Sequence, residues 1–136
     1  MYNLEFNKKD NLLLVVVRGE VSVTEMIDYI KKLEQYRKYT NKLQILQDSR
    51  EIITKLELFD IPVVADQFEK VLKKYQSIRH ADVHHLPAST GYALIYQYQT
   101  KFPTYRYEIF NTIESAGKWL LRSIDNQSVH HFKEKF

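Results

Sequence analysis

Hydrophobic and polar positions follow two periods along this chain, and its first third shows both. Residues 2–6 alternate apolar and polar side chains, which predicts a half-exposed strand. Residues 12–17 form an unbroken run of Leu and Val, as expected of a strand covered on both faces. Ser22 and Glu25 then have the spacing of a capping box, and the apolar residues after Ser22 recur at helical intervals. This part of the chain therefore predicts two strands followed by an amphipathic helix.

The rest of the chain continues the alternation of strands and helices. Pro62 suits the first turn of a helix, where its missing N–H group costs nothing. Residues 79–85 alternate apolar and polar side chains, which predicts a short strand exposed on one side. The other predicted elements are a short strand at residues 43–46 that stops at Asp48, helices at about residues 61–77 and 88–100, a strand at residues 105–110 and a last helix with Ile113, Ala116, Leu120 and Ile124 inward.

This order of elements, ββαβαβαβα, predicts an α/β fold. Each of the three successive strand-helix-strand crossovers is long enough for a right-handed return, so we expect a single, mostly parallel sheet of about five strands with four helices. The first strand is expected to lie antiparallel at one end. A chain of 136 residues can bury one core, and we therefore expect one domain over residues 1–124 and a weakly structured tail over residues 125–136.

Composition and charge limit the classes of function that the chain can have. Without cysteine, the chain has no disulfide, thiolate metal site or thiol nucleophile. The net charge is only +3, with Lys and Arg scattered among Asp and Glu, so we expect no nucleic-acid binding. The apolar run of residues 12–17 is far shorter than the ~20 residues of a membrane span, and a cytoplasmic location is expected. Neither a Gly-rich phosphate loop nor a Gly-x-Ser-x-Gly elbow is present, so we expect no cofactor and no enzymatic activity.

Segments of the sequence resemble a known family. They are residues 14–25 (LVVVRGEVSVTE), residues 46–50 (LQDSR) and residues 110–120 (FNTIESAGKWL). These segments are similar to the small bacterial SpoIIAA-like proteins of the STAS/SEC14-like superfamily. The resemblance implies a STAS/SpoIIAA-like fold and a non-enzymatic regulatory or protein-interaction role with a protein partner. The lipid-binding relatives on the SEC14-like side imply an alternative, a small apolar-ligand or lipid-binding protein.

Asp48 and Ser49 form the first candidate site. In the anti-sigma-antagonist branch of the superfamily, a partner kinase phosphorylates a serine of an Asp-Ser-type motif at the start of the helix after the third strand. The resemblance therefore implies a phospho-switch at Asp48 and Ser49, although Arg50 and Glu51 stand where the Ser-x-Gly continuation would be. A phosphate there would gain from helix N–H groups and from Arg50. Alternatively, Asp48 and Ser49 are turn or cap residues.

His80, Asp82 and His84 form a second group, because residues at alternate positions project from one face of a strand. The spacing His-x-Asp-x-His is a partial set of metal ligands. Further ligands would have to come from His85, His130 or His131. Since the sequence places none of these beside the strand, we expect no metal site and instead a polar, outward-facing strand surface.

The predicted third helix carries the remaining candidates. Ser89 and Thr90 at its start could bind an anion through free backbone N–H groups, or could simply cap the helix. Tyr92, Tyr96 and Tyr98 are more aromatic residues than one inward helix face can use. We therefore expect this helix to bind a partner, either a regulatory protein or a second copy of the chain in a homodimer, or to border an apolar-ligand site.

Overall fold

One mixed sheet forms the centre of the fold. The computed structural model describes residues 1–120, so Ile124 and the predicted tail, which contains His130 and His131, lie outside the described residues. The strands are β1 (Tyr2–Asn7), β2 (Leu12–Val21), β3 (Lys42–Thr54), β4 (Ser77–Val83) and β5 (Tyr105–Phe110). Within the described residues the sheet has the order β1-β2-β3-β4-β5, with β1 antiparallel to β2 and all other neighbours parallel. The predicted α/β fold is confirmed.

Helices cover both faces of the sheet. They are α1 (Val23–Lys32), continued by a 3-10 turn (Leu33–Lys38), then α2 (Asp60–Leu72), α3 (Pro87–Gln99) and α4 (Ile113–Leu120). Because strand order follows chain order, right-handed crossovers place α1, α2 and α3 on the same face. The chain reaches the other face only after β5, where α4 packs against β3 and β4. Within residues 1–120, no helix has the length and apolar character to cross a membrane.

Each face of the sheet has its own core. On β2, Leu13 and Val15 face the side of α1 and α2, whereas Leu12 and Leu14 face the side of α4, and all are buried. The continuous apolar run therefore covers both faces of one strand, as predicted. Phe68 of α2 is among the largest fully buried side chains of the first core.

The first helix begins after Ser22, as the sequence predicts. The Ser22 hydroxyl accepts a hydrogen bond from the Glu25 backbone N–H at 3.2 Å, which satisfies one free donor of α1. The Glu25 carboxylate does not complete the capping box, because it pairs with the N-terminal ammonium group of Met1. Attraction between opposite charges replaces the predicted return hydrogen bond.

The predicted end of β3 and the predicted exposure of β4 are both wrong. The third strand, β3, does not stop before Asp48 but continues to Thr54, because it stays paired with β2 as far as Val21. Ile52 is buried between the exposed residues Glu51 and Ile53, so the end of β3 has the alternation of a strand with one covered face. The predicted exposure of one side of β4 is also wrong, since helices cover both of its faces.

Candidate functional site

A buried polar network lies between the sheet and the helices α1 to α3. His80, Asp82 and His84 project from β4 and the residue just after it toward this side, and all are buried. The expected outward polar surface is therefore wrong, because the crossovers on either side of β4 place α2 and α3 over it. Within residues 1–120, no group of three or more His, Asp or Glu side chains could hold a metal ion.

Asp82 is the centre of the network. Its Oδ1 accepts a hydrogen bond from the Ser49 hydroxyl at 2.7 Å, and its Oδ2 accepts from the Tyr107 hydroxyl at 2.5 Å and from His84 Nε2 at 2.8 Å. Burial alone would raise the pKa of Asp82, but the charge of His84 and the hydrogen bonds from His84 and Tyr107 lower the pKa below its ordinary value. The buried carboxylate is therefore ionised and held by donors from neighbouring strands.

His84 carries the matching positive charge. Burial disfavours its charged form, but the Asp82 carboxylate raises the pKa of His84 above its ordinary value. Its Nδ1 lies 3.1 Å from the Ser89 hydroxyl, which donates its own proton to the Leu86 carbonyl at 3.2 Å. With that proton engaged, Nδ1–H is the donor toward Ser89. An Nδ1–H group that donates to Ser89 cannot at the same time accept the Ser89 proton, so this arrangement differs from a triad in which the imidazole is the general base.

His80 is neutral and forms the second half of the network. Its Nε2–H donates to the Gln47 side-chain oxygen at 2.8 Å, and Tyr105 donates to its Nδ1 at 2.8 Å. Burial lowers the pKa of His80 to about 4, against a weaker opposing effect of Asp82. The Gln47 amide donates to Ser49 at 2.9 Å and thereby joins the two halves of the network.

A cavity of about 80 Å³ lies above the network and opens between the helices. Its floor is polar and includes Asp82 and His84, whereas its walls come from largely apolar and aromatic residues of α1, α2 and α3. The partly exposed lining residues are Met26, Thr54, Leu56, Tyr92 and Tyr96. Ligand pockets for drug-sized molecules occupy roughly 300–1,000 Å³, so this cavity admits a much smaller group.

The structure separates Asp48 from Ser49. Neighbouring residues of a strand point to opposite faces, and Ser49 enters the buried network while Asp48 lies on the side of α4. There Asp48 binds Arg50 through both carboxylate oxygens, at 2.8 and 2.7 Å. The predicted turn or cap role is wrong, since both residues lie inside β3. Phosphorylation of Ser49 stays a prediction.

Ser89 and Thr90 do not cap α3. Their hydroxyls donate to the Leu86 carbonyl at 3.2 and 2.8 Å, and Leu86 itself is the N-cap residue without a side-chain hydrogen bond. The helix begins at Pro87, three residues earlier than a Ser89 cap requires. Both hydroxyls are therefore engaged within the first turn, and anion binding at this helix start stays a prediction.

The tyrosines of α3 occupy different environments. Tyr92 lies at the mouth of the cavity, and the Tyr96 hydroxyl contacts the Tyr105 hydroxyl at 3.2 Å in the interior. Tyr98 is 74% exposed, and Leu94, one turn before it, is exposed as well. The predicted surface on α3 thus reduces to Tyr98 and its neighbours, and their role in binding a partner or a second copy stays a prediction.

Sequence reasoning missed an exposed apolar surface beside the cavity. Leu58 is 62% exposed, Phe59 is 74% exposed and Val63 is 45% exposed. We call these residues the carboxyl-edge patch, because the turn before α2 lies at the edge where the parallel strands end. The available signal was Leu58-Phe59, two large apolar residues outside the helical stripe that follows Pro62.

Comparison with known proteins identifies the fold. Neither a family model nor a curated protein matches the sequence. A solved structure of the anti-sigma factor antagonist SpoIIAA in its unphosphorylated form matches with a TM-score of 0.58 and 12% identity, over 93% of this chain and 100% of that chain. A chain in the crystal structure of the diguanylate cyclase SiaD with its activator SiaC from Pseudomonas aeruginosa matches with a TM-score of 0.48 and 10% identity, over 81% of this chain and 93% of that chain. The chain therefore has the fold of SpoIIAA, as the resemblance of its sequence implied.

Proposed function

We propose that this chain is a regulatory protein-interaction domain whose partner docks on the carboxyl-edge patch. The observation that carries the proposal is the exposure of Leu58, Phe59 and Val63 at one site. Large apolar residues that stay exposed together mark sites of protein contact, and aromatic residues often dominate the binding energy there. The SpoIIAA fold supports a regulatory role, because SpoIIAA itself is an anti-sigma factor antagonist.

The buried network favours binding over catalysis. The Asp82 carboxylate is fully engaged by internal donors, and the proton of Ser89 is committed to a backbone carbonyl. A reactive group needs a free base or an activated nucleophile, and His84, whose two ring nitrogens face Asp82 and Ser89 as donors, provides neither in this arrangement. The network is therefore better suited to hold the sheet beneath the patch than to transform a substrate.

The alternative, a lipid or other sizeable apolar ligand, finds less support. Its binding would need a cavity several times larger than the space of about 80 Å³ above Asp82. The carboxyl-edge patch, in contrast, is open to a partner without any rearrangement of the described residues.

Capture of the partner tests the proposal. The tagged chain would be expressed in the cell from which the sequence comes, co-purifying proteins identified by mass spectrometry, and binding to the recombinant partner measured by calorimetry. We expect Phe59→Ser to weaken the complex at least about tenfold, equivalent to about 1.4 kcal/mol. Tyr98→Ser is the matched control, because Tyr98 and Phe59 are each 74% exposed.

The control also decides between two surfaces. If Tyr98→Ser weakens the complex while Phe59→Ser leaves it unchanged, the partner binds α3, and the proposed docking on the carboxyl-edge patch is wrong. If purified partners bind both variants as tightly as the unmodified chain, neither surface binds the partner. Light scattering of the unmodified chain and of Tyr98→Ser would separately test the predicted homodimer.

A further inference from the structure

The cavity and the carboxyl-edge patch are built by the same stretch of chain. Residues 56–64 alternate between them. The cavity is lined by Leu56, Ile61 and Val64, and the patch consists of Leu58, Phe59 and Val63. Leu56, which is partly exposed, and the buried Ile61 flank the patch residues Leu58 and Phe59 in sequence, so the turn that carries the patch also forms part of the cavity wall.

The size of the cavity selects its occupant. An engineered apolar cavity of about 150 Å³ accommodates benzene, so a space of about 80 Å³ suits the end of an aliphatic side chain rather than a whole ring or a lipid. Apolar walls from Ile30, Ile61 and Phe68 suit such a group. The polar floor makes no demand on it, because Asp82 and His84 are satisfied internally.

The charges around the patch indicate what should flank that side chain. Glu57 and Asp60 stand directly before and after Leu58 and Phe59 in sequence and bring two carboxylates to the same turn, where Asp60 Oδ2 also accepts a hydrogen bond from the Glu57 backbone N–H at 2.8 Å. The nearest basic residue in sequence, Lys55, lies 3.4 Å from the Glu20 carboxylate. A partner segment with Lys or Arg beside its apolar residue would match this field.

We propose that the cavity receives one aliphatic side chain, of Leu, Ile, Val or Met, from a basic segment of the partner protein that docks on the carboxyl-edge patch. The inference rests on the proposed function and adds the chemistry of the partner. Insertion into the cavity, with the patch covered by the partner, removes the side chain from water, which is the setting in which single residues dominate an interface. The patch then surrounds the inserted group and excludes water from it.

A library of random linear peptides displayed on phage is the probe, since it does not require the natural partner. Selection against the full chain should enrich peptides with one aliphatic residue flanked by Lys or Arg. Ala93→Leu, which fills the cavity from α3, should lower the affinity of a synthetic selected peptide for the chain at least about tenfold. Ala93 lines the cavity and is buried, whereas the control Gln99→Leu lies exposed at the other end of α3 and should leave affinity unchanged.

Val64→Ile adds a single methyl group to the cavity from α2 and serves as a second, milder filling variant. Both filling variants should melt no lower than the unmodified chain, which separates a blocked cavity from a misfolded one. If selected peptides lose affinity with Phe59→Ser but not with either filling variant, side-chain insertion is wrong while the proposed docking surface stands. If selection enriches no peptides with an aliphatic and basic pattern, the inferred partner chemistry is wrong, whatever the capture experiment finds.

Discussion

Replacement of His80 by glutamine should flatten the pH dependence of stability between pH 6.5 and 4. Burial lowers the pKa of His80 from 6.5 to about 4, so between these values the unfolded chain binds a proton that the folded chain does not. The free energy of unfolding therefore falls as pH falls through this range. Each pH unit between the folded and unfolded pKa is worth about 1.4 kcal/mol, which gives about 3 kcal/mol over the whole range.

This pH range isolates His80 within the network. The pKa of Asp82 is lowered, so its contribution to stability is present above pH 3.8 and is lost only as pH falls through the still lower folded value. The pKa of His84 is raised, so its contribution is present below pH 6.5 and is lost as pH rises through the higher folded value. Neither residue changes the slope greatly between the two pKa values of His80.

Urea denaturation followed by circular dichroism at several pH values would measure this effect. Between pH 6 and pH 4.5, His80 alone should lower the free energy of unfolding of the unmodified chain by about 2 kcal/mol. His80→Gln should lack that part of the slope, whatever its stability at pH 7. His85→Gln, at an exposed position, is the control and should keep the slope. Parallel curves for the unmodified chain and His80→Gln would refute the neutral, buried state of this imidazole.

Other substitutions test the network and the patch by the same urea denaturation at pH 7. Asp82→Asn should cost about 2–3 kcal/mol because it removes the carboxylate that accepts hydrogen bonds from Ser49, Tyr107 and His84, whereas Asp66→Asn, in an exposed pair with Lys70, should cost less than about 0.5 kcal/mol. Ser49→Asp should cost about 3 kcal/mol or more, since it places a second carboxylate beside that of Asp82, and a smaller loss would show that the site tolerates a phosphate-like charge. Phe59→Ser should change stability by less than about 0.5 kcal/mol, and a larger loss would show that Phe59 serves the fold rather than a partner.

The order of elements could be predicted because its signals are local. The run at residues 12–17 reports burial on both faces of β2, and Ser22 marks the start of α1 through a hydrogen bond only three residues away. Chain order then determines the sheet, since each crossover joins neighbouring parallel strands. The fold thus followed from periodicity and caps without knowledge of any distant contact.

The candidate site could not be predicted in the same way, because the burial of its polar residues depends on what covers each strand. The alternation at residues 79–85 is the same for a strand whose polar face meets water and for one whose polar face meets other polar side chains. Only the partners distinguish them, and Ser49 and Tyr107 are 33 and 25 residues away from Asp82. Likewise, the end of β3 was missed because its pairing with β2 continues through polar residues that have the composition of a turn.

The distribution of donors in the network gives it a structural role that apolar residues could not fill. A shift of β5 by two residues against β4 would keep the pattern of faces but would put Tyr105 or Ile109 in place of Tyr107, whose hydroxyl binds Asp82. The shift to Ile109 leaves the buried Asp82 carboxylate short of a donor, at a cost of several kcal/mol, and the shift to Tyr105 takes that hydroxyl away from His80. Shifted apolar residues, in contrast, would repack at little cost. We infer that the network determines the strand register at the carboxyl end of the sheet. The cavity and the patch above it therefore rest on a floor with one defined arrangement, which preorganises the proposed docking surface and lowers the entropy cost of binding.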